Sequence, residues 1–419
     1  MSKKVYLCID LKCFFASVEC VERNLDPFKA DLVVADPSRG NGAICLASSP
    51  SIKSKGVKNR CRIFEIPKNI NYIVALPRMK KYIEYSSNIY SIYLKYVSSE
   101  DILVYSIDEC FLDITSYLKL YKMDEKQLAK MIIDDVYKQT NICATVGIGT
   151  NMFLAKVALD ITAKKSKDNM AYLNEELFKQ EVWHHRPITD IWNIGKGIAN
   201  RLAKYGAYDL YDVAHMEEAI LFKEFGVNAT FLIEHSHGIE PTTIKEVHNY
   251  VRQNESISNN QVLFEDYKYE DAFLVLKEMV ELNVLELVSK HLVTNCIHLH
   301  IGYSKDVIKP VSASMKLHEY TSSHYKLNEY FINLFIKNVD KYHMIRQIGI
   351  GFGNVIDESY ATYNLFSDIE KETKERKMQE AIIEIKKKYG KNSILKAMNL
   401  QEKATTRKRN KLIGGHNGE

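Results

Sequence analysis

Ile102-Leu-Val-Tyr-Ser-Ile-Asp-Glu-Cys-Phe-Leu-Asp-Ile114 decides how this 419-residue chain folds. The stretch reads as two short apolar strands with a tight turn between them. Asp108 and Glu109 stand side by side inside it. Adjacent carboxylates in apolar surroundings repel each other and lose solvation, so something must compensate them. The usual compensation is a bound divalent cation or one carboxyl kept protonated. A second apolar strand, Val5-Tyr-Leu-Cys-Ile-Asp10, also ends on an acid. Three carboxylates at strand ends suit hard cations held through oxygen, the equipment of two-metal phosphoryl transfer.

Outward from this hairpin the chain organises in order. Residues 1–25 read as a strand and a helix starting near Phe14. Residues 26–77 form an insert bounded by Asp26-Pro27 and Leu76-Pro77. Residues 78–100 are helical, with tyrosines at roughly helical spacing. A helix over 124–140 leads to the strand Ala144-Thr-Val-Gly-Ile-Gly149, after which Asn151 caps a helix through about Ala163. This order predicts a mixed sheet with helices on one face. Lys164-Lys-Ser-Lys-Asp168 breaks the pattern and is expected to leave that core. Short helices fill 188–240, and the polar stretch 241–256 reads as a linker. A separate domain over 257–355 is expected to hold a helix at 269–290, a strand at 294–303, a helix near 325–339 and a strand at 344–352. The remainder, 356–419, is a charged tail.

The length is enough for roughly three or four domains. Hydrophobic content of 46% and charged content of 26% describe a soluble globular protein. No run approaches the ~20 apolar residues of a membrane span, and the N-terminus has no signal-peptide pattern, so no membrane is expected and the location is expected to be cytoplasmic. The eight cysteines show no CxxC pair and no zinc spacing, and read as reduced thiols. A net charge of +4 permits a nucleic-acid partner without demanding one.

Asp10-Leu-Lys-Cys-Phe-Phe-Ala-Ser-Val-Glu19 and Tyr105-Ser-Ile-Asp-Glu-Cys-Phe-Leu-Asp113 together resemble the catalytic motifs of the Y-family, or translesion, DNA polymerases. The resemblance implies an α+β multidomain right hand: a mixed-sheet palm (1–25 and 78–165), small fingers (26–77), a helical thumb with a helix-hairpin-helix (166–240), the linker, and an α/β little finger (257–355). It also implies that Asp10, Asp108 and Glu109 are catalytic and hold two Mg²⁺ ions, with the carbonyl of Leu11 as a further ligand. Asp113 is expected to serve only as a structural hydrogen-bond acceptor. Phe15 matches the steric gate that excludes a 2′-hydroxyl, and Phe14 the neighbouring aromatic whose backbone faces the phosphates of the incoming dNTP.

In the fingers the family's phosphate-clamping Tyr and Arg are replaced by Pro50 and Lys53, within Ala47-Ser-Ser-Pro-Ser-Ile-Lys53. This Ser-Pro form resembles the UmuC-like branch of Gram-positive bacteria. Lys53 supplies charge without Arg's bidentate fork. Lys164 matches a second phosphate-facing lysine. Ile191-Trp-Asn-Ile-Gly-Lys-Gly-Ile-Ala-Asn-Arg-Leu202 resembles a helix-hairpin-helix, in which Ile194, Gly195 and Gly197 bring backbone N–H groups to a DNA phosphate. Asn193 stands where a first glycine is usual and tolerates positive φ better than most residues.

Residues 245–355 carry twelve Lys/Arg against thirteen Asp/Glu, so phosphate contacts in the little finger must come from a local strip such as Arg252, Lys309 and Lys316. Thr362-Tyr-Asn-Leu-Phe366 resembles the sliding-clamp peptide of bacterial members; Leu365 and Phe366 fit, and Thr362 replaces its Gln. The implied function is low-fidelity synthesis on primer-template DNA past damaged bases, in SOS-type damage tolerance. Two other classes stay open on these residues, a metal-dependent nuclease and a non-catalytic DNA-binding accessory protein.

Overall fold

The computed structural model describes residues 4–40, 42–251, 255–304, 308–362 and 368–418. The chain divides into two units, one ending at Tyr250 and one running from Val251 to Gly418.

The first unit contains β1 (Tyr6–Leu11), β2 (Leu32–Val34), β3 (Ala47–Ser48), β4 (Ile73–Ala75), β5 (Ile102–Val104), β6 (Glu109–Asp113), β7 (Ala144–Gly149) and β8 (Met170–Leu173). Five of these form a sheet in the order β5-β6-β1-β7-β8, antiparallel except for the β7–β8 pair. Leu7, Ile9 and Leu11 alternate toward one face, where the helices Phe14–Val21, Met79–Tyr93 and Glu125–Thr140 bury Val18, Ile89 and Ile132 against them. The helix Glu125–Thr140 begins at a capping box between Asp124 and Gln127.

Helices cover the other face as well, contrary to the one-sided packing expected. Tyr6, Cys8 and Phe111 meet Met152, Ala155 and Leu159 there. Two glycines allow it. A Cβ on Gly147 would lie 2.0 Å from the Ala155 carbonyl, and one on Gly149 would lie 2.2 Å from the Ala155 nitrogen. The helix Met152–Val157 therefore rests backbone to backbone on β7, and continues as a π-helical turn over Ala158–Thr162.

The insert folds around β3-β2-β4 with its own small core of Val33, Cys45, Ile52 and Ile66. Two sequence expectations need correction nearby. The segment after Lys164-Lys-Ser-Lys-Asp168 does not leave the sheet: Met170–Leu173, inside the 166–240 stretch assigned to the thumb, pairs with β7 as β8. The expected linker 241–256 contains a helix, Ile244–Asn249, capped by Thr243 and Glu246, with Ile244 buried in the Tyr6–Phe111 cluster. Between them, Phe178, Ile194, Leu202 and Leu232 share a helical core.

The second unit is a sheet of β9 (Glu255–Tyr267), β10 (Leu292–Tyr303), β11 (Val311–Thr321) and β12 (Ile345–Asp357), in the order β11-β10-β12-β9 and antiparallel throughout. The helices Tyr269–Ser289 and His324–Asn338 close one face, with Val275, Leu276, Phe331 and Phe335 in the core. β9 and β11 were not anticipated: the polar run Ser258-Asn-Asn-Gln261 interrupts the pattern of β9, while the regular alternation of β11 from Val311 to Leu317 was overlooked. The tail is part of this unit rather than a loose extension. Its helix Ile369–Tyr389 packs Ile383 onto the core, and the chain ends in a short hairpin of β13 (Leu412–Ile413) and β14 (His416–Asn417). Leu365 and Phe366, the clamp-peptide residues, lie outside the described residues, as does Arg252. Among the described residues no helix is long and apolar enough to cross a membrane.

Candidate active site

Strand register brings the three acids together. Asp10 on β1 lies directly opposite Glu109 on β6. The Leu11 amide donates to the Asp108 carbonyl at 2.9 Å, so Asp108 sits one step further along the same edge. The turn is tight: the amides of Tyr105 and Ser106 both donate to the Glu109 carbonyl at 3.0 Å. The Ser106 hydroxyl donates to the Asp108 carboxylate at 2.6 Å.

Two lysines that follow β7 balance this negative charge. Lys156 is 7% exposed and pairs with Glu109 at 2.8 Å and with Asp160 at 3.0 Å. Lys164 stands 3.6 Å from Asp10 and 2.8 Å from Asp160. Burial raises the Asp10 carboxyl to about 6; Lys164 opposes the rise, and the charges of Asp108 and Glu109 add to it. Burial also works against the charge of Lys156, but the Cys8 thiol, Glu109 and Asp160 around it raise its pKa overall. The Cys8 thiol donates to Glu109 at 3.2 Å.

These oxygen donors match a hard divalent cation in chemistry. Their present rotamers are those of an ion-paired site. Among the described residues no group of three His, Cys, Asp or Glu side chains stands at cation-holding spacing.

The aromatic pair sits on the turn after β1. Cys13 takes a left-handed conformation, φ 50°, just ahead of the helix Phe14–Val21. Phe14 is buried in the core, so only its backbone is available to a ligand. Phe15 is half-buried and stacks on Tyr82, with centroids 4.4 Å apart and planes 16° from parallel. The Tyr82 hydroxyl donates to Glu19 at 2.8 Å, and Arg78 holds Glu19 with two hydrogen bonds of 2.9 Å. Lys53 reaches the same turn, its Nζ 3.1 Å from the Cys13 sulfur. The Ser-Pro sequence before it starts a helix, Pro50–Ser54, with Ser49 as N-cap and Pro50 in the first turn.

Of the helix-hairpin-helix residues, Ile194 and Gly195 lie on the turn before the helix Lys196–Leu202, and Gly197 lies in its first turn. Ile194 is buried, and Asn193 supplies the positive φ of 66°. A Cβ on Gly195 or Gly197 would meet nothing within 4 Å, which leaves that backbone open to close approach. Trp192 ties this turn to the acidic hairpin by donating to the Tyr105 hydroxyl at 3.0 Å.

Sequence reading missed Lys156, Asp160 and Tyr82. A lysine and an acid four apart in the otherwise apolar run Met152–Ile161 were a visible signal for the first two. Tyr82 carried none, being one of many tyrosines in its helix.

Comparison with known proteins agrees with this geometry. Residues 9–160 match the model of the impB/mucB/samB family, and residues 254–365 match that family's C-terminal domain. The chain is 31% identical over 428 aligned positions to UvrX of Bacillus subtilis (strain 168), covering 99% of this chain and 98% of UvrX. It is 28% identical to DNA polymerase IV 2 of the same organism, covering 99% of both chains. The solved structure of a Y-family DNA polymerase chimera, Dbh-Dpo4(243-245)-Dbh, matches in fold with a TM-score of 0.64 at 21% identity, over 84% of this chain and 99% of the other. The chain belongs to the impB/mucB/samB family, the UmuC-like branch of the Y-family DNA polymerases.

Proposed function

We propose that this chain is a DNA-directed DNA polymerase performing low-fidelity translesion synthesis in a cytoplasmic, SOS-type response to DNA damage. The observation that carries it is the β1–β6 register, which sets Asp10 opposite Glu109 with Asp108 beside them. Family membership and the DNA polymerase IV relatives support polymerisation over hydrolysis. UvrX, whose name assigns it provisionally to UV-damage repair, supports the link to damage.

Asp10, Asp108, Glu109 and the Leu11 carbonyl are the groups that would hold two Mg²⁺ ions, which would supply positive charge beside the primer 3′-hydroxyl and the triphosphate. The chain's own residues do the rest. Lys53 and Lys164 face the triphosphate from the two sides of the turn after β1. Lys156 holds Glu109 in place through its ion pair. The Phe15 ring, fixed flat against Tyr82, lies under the sugar and leaves no space for a 2′-hydroxyl. Gly195 and Gly197 let the thumb backbone reach a DNA phosphate. Leu365 and Phe366 are the residues for a sliding clamp.

The test is primer extension with dNTPs and Mg²⁺ on undamaged templates and templates with one lesion. Templated incorporation opposite the lesion is expected. Degradation of the primer would favour a nuclease, and DNA binding without extension would favour an accessory role.

A further inference from the structure

The tail's positive charge is concentrated rather than dispersed. Residues 386–411 hold ten Lys/Arg and one acid, Glu402. Such blocks usually repel and stay apart. Here the chain folds back on itself and brings two of them together. Asn410 donates to the Lys391 carbonyl at 3.2 Å and to the Asn392 side chain at 2.8 Å, and Asn392 donates to the Arg407 carbonyl at 3.2 Å. Lys386 is spent on structure, donating to the carbonyls of Lys391 at 2.9 Å and Ile394 at 2.8 Å. Lys387, Lys388, Lys391, Arg407, Lys408 and Lys411 are left exposed, and among the described residues none of them has an ion-pair partner.

This cationic face is anchored firmly. Glu278, 1% exposed on the helix Tyr269–Ser289, accepts from the Thr405 amide at 2.7 Å, the Thr406 amide at 3.3 Å and the Asn399 side chain at 3.0 Å. Arg409 donates to Asn259 and Gln261 of β9, and Lys403 pairs with Glu265 at 2.6 Å. The tail therefore runs along β9, the edge strand of its sheet. Lys408 lies over the ring of Phe264, 5.5 Å from its centroid.

The open face of that sheet has hydrogen-bonding groups and little charge. Ser258, Asn260, His298, His300, Ser312 and Ser314 line a shallow depression of about 510 Å³ floored by Gly349 and Gly351, with no Lys or Arg in its lining. A polar, near-neutral sheet thus has a dense cationic rim at its β9 edge. A rim of exposed cations without ion-pair partners binds a regular polyanion without reading sequence.

We infer that the tail is a phosphate-binding rim for duplex DNA, supplying the charge that residues 257–355 lack. This surface lies beyond the matched C-terminal family domain, which ends at 365. The inference rests on DNA being the substrate proposed above.

The test uses the full chain and a fluorescent primer-template, with affinity measured across salt concentrations. Two triple variants neutralise the two blocks, Lys387→Gln/Lys388→Gln/Lys391→Gln and Arg407→Gln/Lys408→Gln/Lys411→Gln. Each is expected to weaken binding about tenfold at low salt and to lower the slope of log K against log salt by about 2.7, since each of the three phosphate contacts contributes about 0.9. Extension at saturating DNA should stay within about twofold of wild type. The arginine version of the first block, Lys387→Arg/Lys388→Arg/Lys391→Arg, should keep the wild-type slope. Wild-type affinity and slope in both Gln variants overturn the inference and leave the polymerase reading standing. So does a lost slope in the Arg version, which would mark a structural effect. Loss of binding to anionic phospholipid vesicles with DNA binding unchanged would assign the rim to a membrane instead. A wild type that binds no primer-template removes both readings.

Discussion

Phe15 shows how one side chain acquires a role through its supports. Its ring lies on Tyr82, Tyr82 donates to Glu19, and Glu19 is pinned by Arg78. Phe15→Ala removes the ring and leaves the support standing. Ribonucleotide incorporation relative to deoxynucleotide is expected to rise on the order of 10²-fold, since exclusion by shape is lost without loss of phosphate binding. Competition kinetics with matched rNTP and dNTP check this, and unchanged sugar selectivity would refute it. Phe15 was legible in the sequence from its spacing to Asp10. Tyr82 was not, because a stacking partner 67 residues away leaves no local pattern. Lys156 was overlooked for another reason. A lysine in an apolar helix usually extends its ammonium to water, and here the close packing on β7 turns it onto Glu109.

At the level of elements, that close packing depends on Gly147. Gly147→Ala would drive a Cβ into the Ala155 backbone, which no side-chain rotation can relieve. A loss of about 3 kcal/mol or more is expected, read as a lower thermal midpoint. A wild-type melting curve would show that helix and strand can separate freely. The strands β1, β6 and β7 were legible because they are short, nearly continuous apolar runs buried on both faces. β9 was not, since polar Ser258, Asn259, Asn260 and Gln261 interrupt its pattern, and the alternation of β11 was overlooked. The tail's docking was illegible as well, because it rests on hydrogen bonds to one buried acid, Glu278, rather than on an apolar stripe.

The docked tail also makes the second unit sensitive to acid. Burial and the nearby Lys396 push His324 down to about 4, against a raising effect of Glu375. The fold thus favours neutral imidazole, so this stability is intact above about pH 6.5 and is lost as pH falls from there toward 4. Between pH 7 and pH 5 the loss is expected to be about 1–2 kcal/mol. His324→Gln should flatten that part of the curve in pH-dependent melting. An equal pH dependence in the variant would place the sensitivity elsewhere.

For the molecule as a whole, the domain plan was legible in outline and inexact at its joints. The Thr243-x-x-Glu246 capping signal inside the supposed linker and the Met170-Ala-Tyr-Leu173 strand are short features that composition hides. Everything functional nevertheless converges on three acids in the first unit. The most direct measurement is single-turnover primer extension by wild type and Asp108→Ala, with DNA affinity determined in parallel. Mg²⁺-dependent extension by wild type, a fall of about 10³-fold or more in the variant, and unchanged DNA affinity are expected. Extension by Asp108→Ala at the wild-type rate would contradict the account.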